Sequence, residues 1–182
     1  LSESQQKAIP DTLKDNDILA GAQTGTGKTA AFALPILHRL QNAESKRRRV
    51  RVLVLVPTRE LASQVGESFR DYGSNLRFRV SVLYGGVSIN TQIDKIRKGV
   101  DIVVATPGRL LDHLNQKTLN LSHLETFVLD EADRMLDMGF RRAIKRILKY
   151  LPDEKQNLLF SATFPNEIKA LADSLLNAPK RI

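Results

Sequence analysis

The 182-residue sequence contains no cysteine and only three histidines. The absence of cysteine excludes disulfide bonds and thiolate chemistry, and the histidines, His38, His113 and His123, are too scattered to suggest a metal cluster. A chain without cysteine is compatible with a reducing compartment. We therefore expect the protein to be cytoplasmic.

The sequence also lacks long apolar runs, internal repeats and low-complexity linkers. A run such as Val52–Val56 is far shorter than the roughly 20 residues of a membrane-spanning helix, and no charged and then apolar leader opens the chain. We expect a soluble protein with no membrane partner. Because 42% of the residues are hydrophobic and the length is that of one ordinary domain, residues 1–182 are expected to form a single globular domain.

Positive charge exceeds negative charge, with 28 Lys+Arg against 20 Asp+Glu and a formal net charge of +8. An excess of this size suggests a polyanionic partner such as nucleic acid. It also occurs on proteins that bind no polyanion, so charge alone leaves the two interpretations about even.

Short β-branched or apolar runs alternate with segments of helical periodicity. The runs span residues 17–22, 50–56, 78–84, 100–105, 126–129 and 157–160. Strands that alternate with helices predict an α/β fold in which a parallel β-sheet is sandwiched between two layers of helices. Ligands of such sheets bind beyond the carboxyl ends of the strands, so the residues that follow each strand are the candidate site.

The first predicted strand leads into AQTGTGKTAAF, residues 22–32, which has the spacing of a phosphate loop. In such a loop, backbone N–H groups turn towards phosphate oxygens, Lys28 reaches the β and γ phosphates, and the Thr29 hydroxyl ligates Mg²⁺. Ala22 stands where the usual motif has glycine, so the first turn is made without one. A glycine-rich turn without a ligand is the alternative, but GKT at this junction favours nucleotide binding.

Three carboxylates follow the fifth predicted strand, within the segment FVLDEADRML. Asp130 stands where phosphate-loop enzymes hold Mg²⁺ at a strand end, and Glu131 is placed to orient and deprotonate an attacking water. An Asp–Glu pair at a strand end could instead cap the following helix. The presence of GKT favours hydrolysis.

The second and fourth strands are followed by PTRELA and TPGRLL, each with a threonine at a predicted helix start and an arginine close by, Arg59 and Arg109. A helix N-terminus beside an arginine suits a phosphate group. For either segment alone, simple capping beside a surface arginine is the better interpretation. Two such segments at one edge of the sheet favour a surface that follows a nucleic-acid backbone.

The residues that follow two further strands are less specific indicators of function. Gly85 and Gly86 follow the third strand and allow either close approach of a ligand or a plain turn. Ser161 and Thr163 follow the sixth strand, where their hydroxyls can bond Asp133 or cap the next helix.

Taken in order, these segments resemble the motifs of the first RecA-like domain of DEAD-box RNA helicases. AQTGTGKT resembles motif I, PTRELA motif Ia, the two glycines the GG motif, TPGR motif Ib, DEAD motif II and SAT motif III. The resemblance covers nearly the whole chain, and DEADRMLDMGF is most similar to bacterial members. It implies a RecA-like phosphate-loop domain that serves ATP-dependent RNA unwinding or remodelling of RNA–protein complexes.

The adenine-reading Q motif of this family is present in part. Gln5 matches its glutamine and Ser2 its Thr/Ser, but Glu3 and Ser4 stand where proline and isoleucine are commoner. The aromatic residue that stacks on adenine in the family lies upstream of Leu1. Adenine selectivity is therefore the least supported of the implied properties.

The resemblance also implies the cofactors ATP and Mg²⁺ and a role for each motif residue. The implied catalytic residues are Lys28, Asp130 and Glu131, and the implied metal ligands are Thr29 and Asp130. The implied nucleotide contacts are Ser2, Gln5, Thr24, Gly25, Thr26, Gly27, Lys28 and Thr29. The implied RNA contacts are Arg59, Gly86, Thr106 and Arg109, and the residues implied to couple hydrolysis to unwinding are Asp133, Ser161 and Thr163.

The family's remaining motifs, including arginines that complete the ATP site, belong to a second RecA-like domain that this chain lacks. The chain begins at Leu1 rather than at methionine and ends in APKRI, so we expect a fragment of a longer protein. We expect the fragment to bind nucleotide weakly, to hydrolyse it slowly or not at all, and not to unwind RNA.

Other functions remain open at this stage. The chain could be a non-catalytic RNA clamp that keeps the phosphate loop as architecture, although intact Lys28, Asp130 and Glu131 favour an enzyme. A DNA helicase shares the ATP chemistry, and RNA as substrate depends on the resemblance because backbone contacts do not distinguish the two nucleic acids. A small-molecule kinase is disfavoured, since no acceptor-binding lid is visible in the sequence.

Overall fold

A computed structural model describes residues 5, 9–10, 16–21, 26–42, 49–177 and 179–182. The strands are β1 (Ile18–Gly21), β2 (Val52–Leu55), β3 (Val80–Leu83), β4 (Ile102–Ala105), β5 (Thr126–Leu129), β6 (Gln156–Ser161) and β7 (Lys180–Arg181). The helices are α1 (Thr26–Asn42), α2 (Arg59–Tyr72), α3 (Ile89–Arg97), α4 (Pro107–Asn115), α5 (Ala132–Asp137), α6 (Arg141–Leu148) and α7 (Asn166–Leu175).

The strands form one parallel sheet in the order β3-β4-β2-β5-β6-β1-β7. Strands β2, β4 and β5 are buried along their whole length, which explains why they read as continuous apolar runs rather than as alternating patterns. The six strands predicted from the sequence are confirmed.

A seventh strand, β7, was missed by the sequence analysis. It consists of the two exposed residues Lys180 and Arg181, which carry no apolar signal. Its pairing depends on the free edge of β1, where the Lys180 N–H donates to Asp17 O at 2.8 Å and the Ile182 N–H donates to Leu19 O at 2.9 Å. A contact so distant in sequence leaves no local pattern to recognise.

The sheet separates two hydrophobic cores, because successive residues of a strand face opposite sides. On one side, Leu53, Leu55 and Phe127 belong to the core that includes residues of α4 to α7. On the other side, Val52 and Val54 belong to the core that includes residues of α1 and α2. The predicted sandwich of a parallel sheet between two helix layers is therefore confirmed.

The helix starts predicted after β2 and β4 are found, with one difference. Thr58 caps α2, since its Oγ1 accepts the Leu61 N–H at 3.2 Å, whereas Thr106 occupies the cap position of α4 without a side-chain capping bond. Pro107 lies in the first turn of α4. Pro165 precedes α7, which begins at Asn166, and with ψ of 169° it is still extended.

Across the part of the chain that the structure describes, every helix is too short or too polar to cross a bilayer.

Candidate functional site

The candidate site lies at the carboxyl edge of the sheet, where β2, β5, β6 and β1 are neighbours in that order. A cleft of about 760 Å³ opens at this edge. Its wall combines Lys28 and Thr29 of α1 with Glu131, Arg134 and the polar side of α2. The topology therefore brings the GKT and DEAD segments, about a hundred residues apart in sequence, into one cleft.

The phosphate-loop segment is described in part. Ser2, Ala22, Thr24 and Gly25 lie outside the described residues, so the predictions on them are not addressed by the structure. Thr26 and Gly27 belong to the first turn of α1, and Gln5 is helical and buried. The following residues, Lys28 and Thr29, are buried at 8% and 6% exposure. The strand and the helix predicted on either side of the loop are thus both present.

Lys28 joins the phosphate-loop helix to the acidic residues after β5. Its ammonium nitrogen lies 2.8 Å from Asp130 Oδ1 and 3.9 Å from Glu131 Oε1. All three side chains are largely inaccessible to solvent, where charge interactions are screened less than at the surface. The three residues predicted to be catalytic therefore form one compact cluster.

Asp130 is completely buried at the end of β5. Burial raises the pKa of its carboxyl group, and the neighbouring Lys28 ammonium partly opposes that rise. Its Oδ2 atom has no hydrogen-bond partner among the described residues. A buried carboxylate oxygen without a partner is costly unless a cation satisfies it, and hard oxygen donors are the ligands that Mg²⁺ prefers. The residues present therefore fit a magnesium ion at Asp130.

Glu131 has an unusual backbone conformation. Its φ and ψ angles, 53° and 52°, lie in the left-handed region, which is strained for a residue with a Cβ atom. Glu131 stands at the cap position of α5 but makes no side-chain capping bond, so the alternative that the Asp–Glu pair serves as a helix cap is wrong. The side chain instead lies between Lys28 and Arg134, whose Nη1 is 3.8 Å from Oε2. Strain of this kind concentrates at functional sites.

Asp133 contacts Ser161 and Thr163, the two hydroxyl residues at the end of β6. The Thr163 Oγ1 and N–H groups donate to Asp133 Oδ2 at 2.9 and 3.1 Å. The Asp133 N–H donates to Ser161 Oγ at 3.3 Å, and Ser161 Oγ donates to Thr163 O at 2.7 Å. Burial acts to raise the pKa of Asp133, but hydrogen bonds from Thr163 and the Arg134 backbone hold that pKa below its usual value. The contact predicted from the sequence is present.

Arg59 and Gly86, both predicted RNA contacts, are brought together from two strand ends. The Arg59 guanidinium lies over the Tyr84 ring, 4.6 Å from its centroid. Gly86 has a φ of 80°, which favours glycine, and a Cβ atom at that position would lie 3.6 Å from Arg59 Nη1. The turn after β3 thus allows a ligand backbone to approach the arginine closely.

Arg109 is anchored from outside its own helix. Its Nη1 donates to Gln92 Oε1 at 3.2 Å, and its Nη2 donates to the Val87 carbonyl at 2.9 Å. Gln92 also contacts His113, at 2.9 Å from Nε2. Arg109 is therefore not a free surface arginine, contrary to the simple capping interpretation.

Gln92, His113 and Tyr84 were missed by the sequence analysis. Gln92 lies among Ile89, Ile93 and Ile96 at helical spacing, so a polar residue on an apolar face was the available signal for it. His113 stands out in the same way next to Leu114. For Tyr84 the sequence offers no comparable signal.

The fold and the cluster of Lys28 with the two carboxylates define a RecA-like phosphate-loop domain. The chain belongs to the DEAD/DEAH box helicase family, whose family model matches residues 2–171. The resemblance inferred from the motifs is thereby confirmed.

Several relatives are similar over almost the whole chain. The chain is 48% identical over 178 residues to "ATP-dependent RNA helicase CshA" of Listeria monocytogenes and 48% identical over 181 residues to "DEAD-box ATP-dependent RNA helicase RhpA" of Helicobacter pylori. These matches cover 98% and 100% of this chain but 34% and 36% of the relatives. The chain therefore spans about a third of the length of the curated relatives it matches.

Solved structures support the same fold. The crystal structure of a DEAD box protein from the hyperthermophile Methanococcus jannaschii superposes with a TM-score of 0.91 and 42% identity, covering 98% of this chain and 48% of that one. A structure titled as a hypothetical ATP-dependent RNA helicase from Sulfolobus tokodaii gives a TM-score of 0.90 and 41% identity. It covers the whole of this chain and 52% of the other.

Proposed function

We propose that residues 1–182 are the ATP-binding, first RecA-like domain of an ATP-dependent RNA helicase. In the full-length protein, ATP hydrolysis would drive local unwinding of RNA duplexes or remodelling of RNA–protein complexes. The observation that carries the proposal is the cluster in which Lys28, in the first turn of the phosphate-loop helix, contacts both Asp130 and Glu131. Membership of the family and the names of its bacterial relatives supply RNA as the substrate class.

We assign each residue of the ATP site a role from the motif to which it belongs. Lys28, at the start of α1, binds the β and γ phosphates and neutralises part of their charge. Thr29 and Asp130 hold Mg²⁺, which when bound offsets the negative charge of the phosphates. Glu131 accepts a proton from the water that attacks the γ phosphate and orients that water. Thr24 to Gly27 supply backbone N–H groups, and Ser2 and Gln5 contact the adenine.

The RNA backbone follows the edge of the sheet beyond β2, β3 and β4. Arg59 and Arg109 pair with phosphates, Gly86 lets the backbone approach, and Thr106 offers a hydroxyl at the start of α4. These groups read phosphates rather than bases, so binding should depend little on RNA sequence and strongly on salt. Asp133, Ser161 and Thr163, which are joined by hydrogen bonds, couple ATP hydrolysis to RNA unwinding.

A second RecA-like domain of the same protein completes the ATP site, and we place the protein in the cytoplasm. Because an arginine supplied to the transferring phosphate contributes on the order of 10³ to 10⁵ in rate, we expect the 182 residues alone to hydrolyse ATP slowly or not at all. We also expect them to bind nucleotide weakly and not to unwind RNA.

The test is ATP turnover by the full-length protein, measured without nucleic acid, with RNA, and with RNA plus competing DNA. We expect RNA to stimulate turnover and DNA to compete poorly. Turnover stimulated equally by DNA would indicate a DNA helicase, and RNA binding without any ATP turnover would indicate a non-catalytic clamp. The Lys28, Asp130 and Glu131 cluster argues against the clamp, since a phosphate loop kept only as architecture has no need of a buried, unpaired carboxylate oxygen.

A further inference from the structure

Gln92 lies at the centre of a buried hydrogen-bond network between α3, α4 and the end of β3. Only 7% of this residue is exposed. Its Nε2 donates to the Tyr84 carbonyl at 3.0 Å, while its Oε1 accepts from Arg109 Nη1 at 3.2 Å and lies 2.9 Å from His113 Nε2. One amide group therefore satisfies three partners on two different elements.

The direction of each hydrogen bond follows from the chemistry of the partners. The Tyr84 carbonyl can only accept and the Arg109 guanidinium can only donate, so the orientation of the Gln92 amide is fixed. Gln92 Oε1 is then an acceptor for His113, which must carry its proton on Nε2. His113 Nδ1 lies 2.8 Å from Thr118 Oγ1, which also lies 3.1 Å from the His113 carbonyl oxygen. No other side chain of similar size offers both a donor and an acceptor in this geometry without a charge.

Arg109 is held at two points and keeps donors to spare. Its side chain is 12% exposed, and Nε lies 3.7 Å from Asp112 Oδ2, which is too long for a hydrogen bond. A guanidinium has five N–H groups, of which Gln92 and the Val87 carbonyl take two. The orientation of the planar group is thus set by Gln92 and Val87. Nε is buried, so the second N–H groups of Nη1 and Nη2 are the ones that remain for a phosphate oxygen.

The same glutamine also supports the neighbouring arginine. Tyr84, whose carbonyl accepts from Gln92, carries the ring against which Arg59 lies at 4.6 Å. Through its one amide group, Gln92 therefore fixes the end of β3, which supports Arg59. The same amide group also fixes the guanidinium of Arg109. A phosphodiester backbone that contacts both arginines requires them at a fixed separation, because consecutive phosphates have a nearly constant spacing.

We propose that Gln92, oriented by His113, is a positioning residue that sets Arg109 and the Arg59–Tyr84 pair in register for the RNA backbone. This inference rests on the proposed function, in which Arg59 and Arg109 bind RNA phosphates. Gln92 itself does not contact RNA; its effect on RNA binding passes through the arginines.

The test is a double-mutant cycle in the full-length protein. The affinity for a short single-stranded RNA is measured with a non-hydrolysable ATP analogue for the wild type, Gln92→Met, Arg109→Ala and the double variant. Methionine keeps the volume of glutamine but removes its hydrogen bonds. We expect Gln92→Met to weaken RNA binding about tenfold in the wild-type background, as loss of a hydrogen bond to a charged group does, and by clearly less, about threefold, in the Arg109→Ala background, where only the effect through the Arg59–Tyr84 pair remains.

Two controls separate positioning from general destabilisation. Gln116→Met, at the exposed C-terminal end of α4, should leave RNA affinity unchanged. In Gln92→Met, the Michaelis constant for RNA in the ATPase assay should rise while turnover at saturating RNA stays within about twofold of wild type. If Gln92→Met does not fold, Gln92→Asn, whose amide is one methylene too short to span Tyr84 and Arg109, makes the same comparison.

The outcomes distinguish the inference from the proposed function. Equal losses from Gln92→Met in both backgrounds, or no loss in either, would overturn the positioning role while Arg109 remains an RNA contact. An Arg109→Ala variant with unchanged RNA affinity would overturn the proposed phosphate contact, and the positioning role with it.

Discussion

At the scale of single residues, Glu131 combines the side chain proposed as the general base with a backbone conformation that glutamate rarely adopts. A residue with a Cβ atom in the left-handed region is strained by about 1 to 2 kcal/mol. The chain keeps this conformation between a completely buried strand end and α5. This conformation directs the carboxylate towards Lys28 and the cleft rather than towards the helix end. It therefore lowers local stability but places the proposed base in the cleft.

Replacing Glu131 by glycine should therefore relieve strain. We expect Glu131→Gly to be about 1 kcal/mol more stable than Glu131→Ala, because both lack the carboxylate and only alanine retains the Cβ atom. Chemical denaturation of the two variants of the 182-residue chain provides the comparison. An alanine variant as stable as the glycine variant would show that Glu131 is not strained.

His113 is a second residue whose chemistry is set by its surroundings. Burial, followed by the positive charge of Arg109, lowers the pKa of His113, and Asp112 opposes the shift only partly. The folded state therefore takes up a proton less readily than the unfolded state. The resulting stability is complete above the ordinary histidine pKa of 6.5 and is lost as the pH falls from 6.5 through the lowered pKa.

The stability of the wild type should accordingly decline below pH 6.5, by at most about 1.4 kcal/mol per pH unit from this group. His113→Asn should show a shallower decline over the same range, although its stability at neutral pH is lower. His123→Asn, at an exposed position, serves as the control and should keep the wild-type slope. Parallel pH profiles for the wild type and His113→Asn, from urea denaturation, would contradict the assignment.

At the scale of elements, α2 and α4 start in similar sequence contexts but are capped differently. Thr58 Oγ1 accepts the Leu61 N–H, while Thr106 makes no capping bond with its side chain. In α4, Pro107 removes one of the N–H groups that would otherwise need a partner. The Thr106 hydroxyl is thus not engaged in capping its helix, which suits its proposed contact with RNA.

The two threonines make a matched pair of variants. Thr58→Ala should lower the free energy of unfolding by about 1 kcal/mol, the usual value of an N-cap, and Thr106→Ala should lower it by clearly less. Thermal or urea unfolding of both variants decides the matter. Equal losses in the free energy of unfolding would show that the difference in capping does not affect stability.

The elements also show how far a sequence can be read. The alternation of short apolar runs with helical segments predicted a parallel sheet between two helix layers, and the motif spacing located Lys28, Asp130 and Glu131 correctly at its edge. β7 was not predictable, because its two polar residues pair only once β1 presents a free edge. The Gln92 network was not predictable either, since it depends on how α3 and α4 pack and on which way a buried amide points.

At the scale of the whole molecule, the acidic and the basic groups of the proposed sites lie at different parts of the sheet edge. The carboxylates that follow β5 are collected in the cleft beside α1, while Arg59 and Arg109 lie beyond β2 and β4 on the far side of the sheet edge. The ends of β5 and β6 lie between β1, which leads into α1, and the strands β2, β4 and β3. Hydrogen bonds of Asp133 with Ser161 and Thr163 connect the end of β5 to the end of β6. ATP and RNA would thus be bound at adjacent parts of a single edge.

The 182 residues alone should be a poor enzyme. We expect their ATP turnover to be at least about 10³-fold slower than that of the full-length protein with RNA, because in the proposed mechanism a second domain would supply the arginines that complete the site. Parallel turnover assays of the two chains give the ratio. RNA-stimulated turnover of the short chain at a rate similar to the full-length protein would contradict the need for a second domain.

The central claim is that the acidic residues after β5 hydrolyse ATP that the phosphate loop binds. The most direct measurement is RNA-stimulated ATP turnover of full-length Glu131→Gln beside Asp137→Asn, an exposed acid at the end of the same helix. The account predicts a loss of about 10² to 10⁴ in turnover for Glu131→Gln with ATP still bound, and a nearly unchanged rate for Asp137→Asn. Turnover of Glu131→Gln close to the wild-type rate would contradict it.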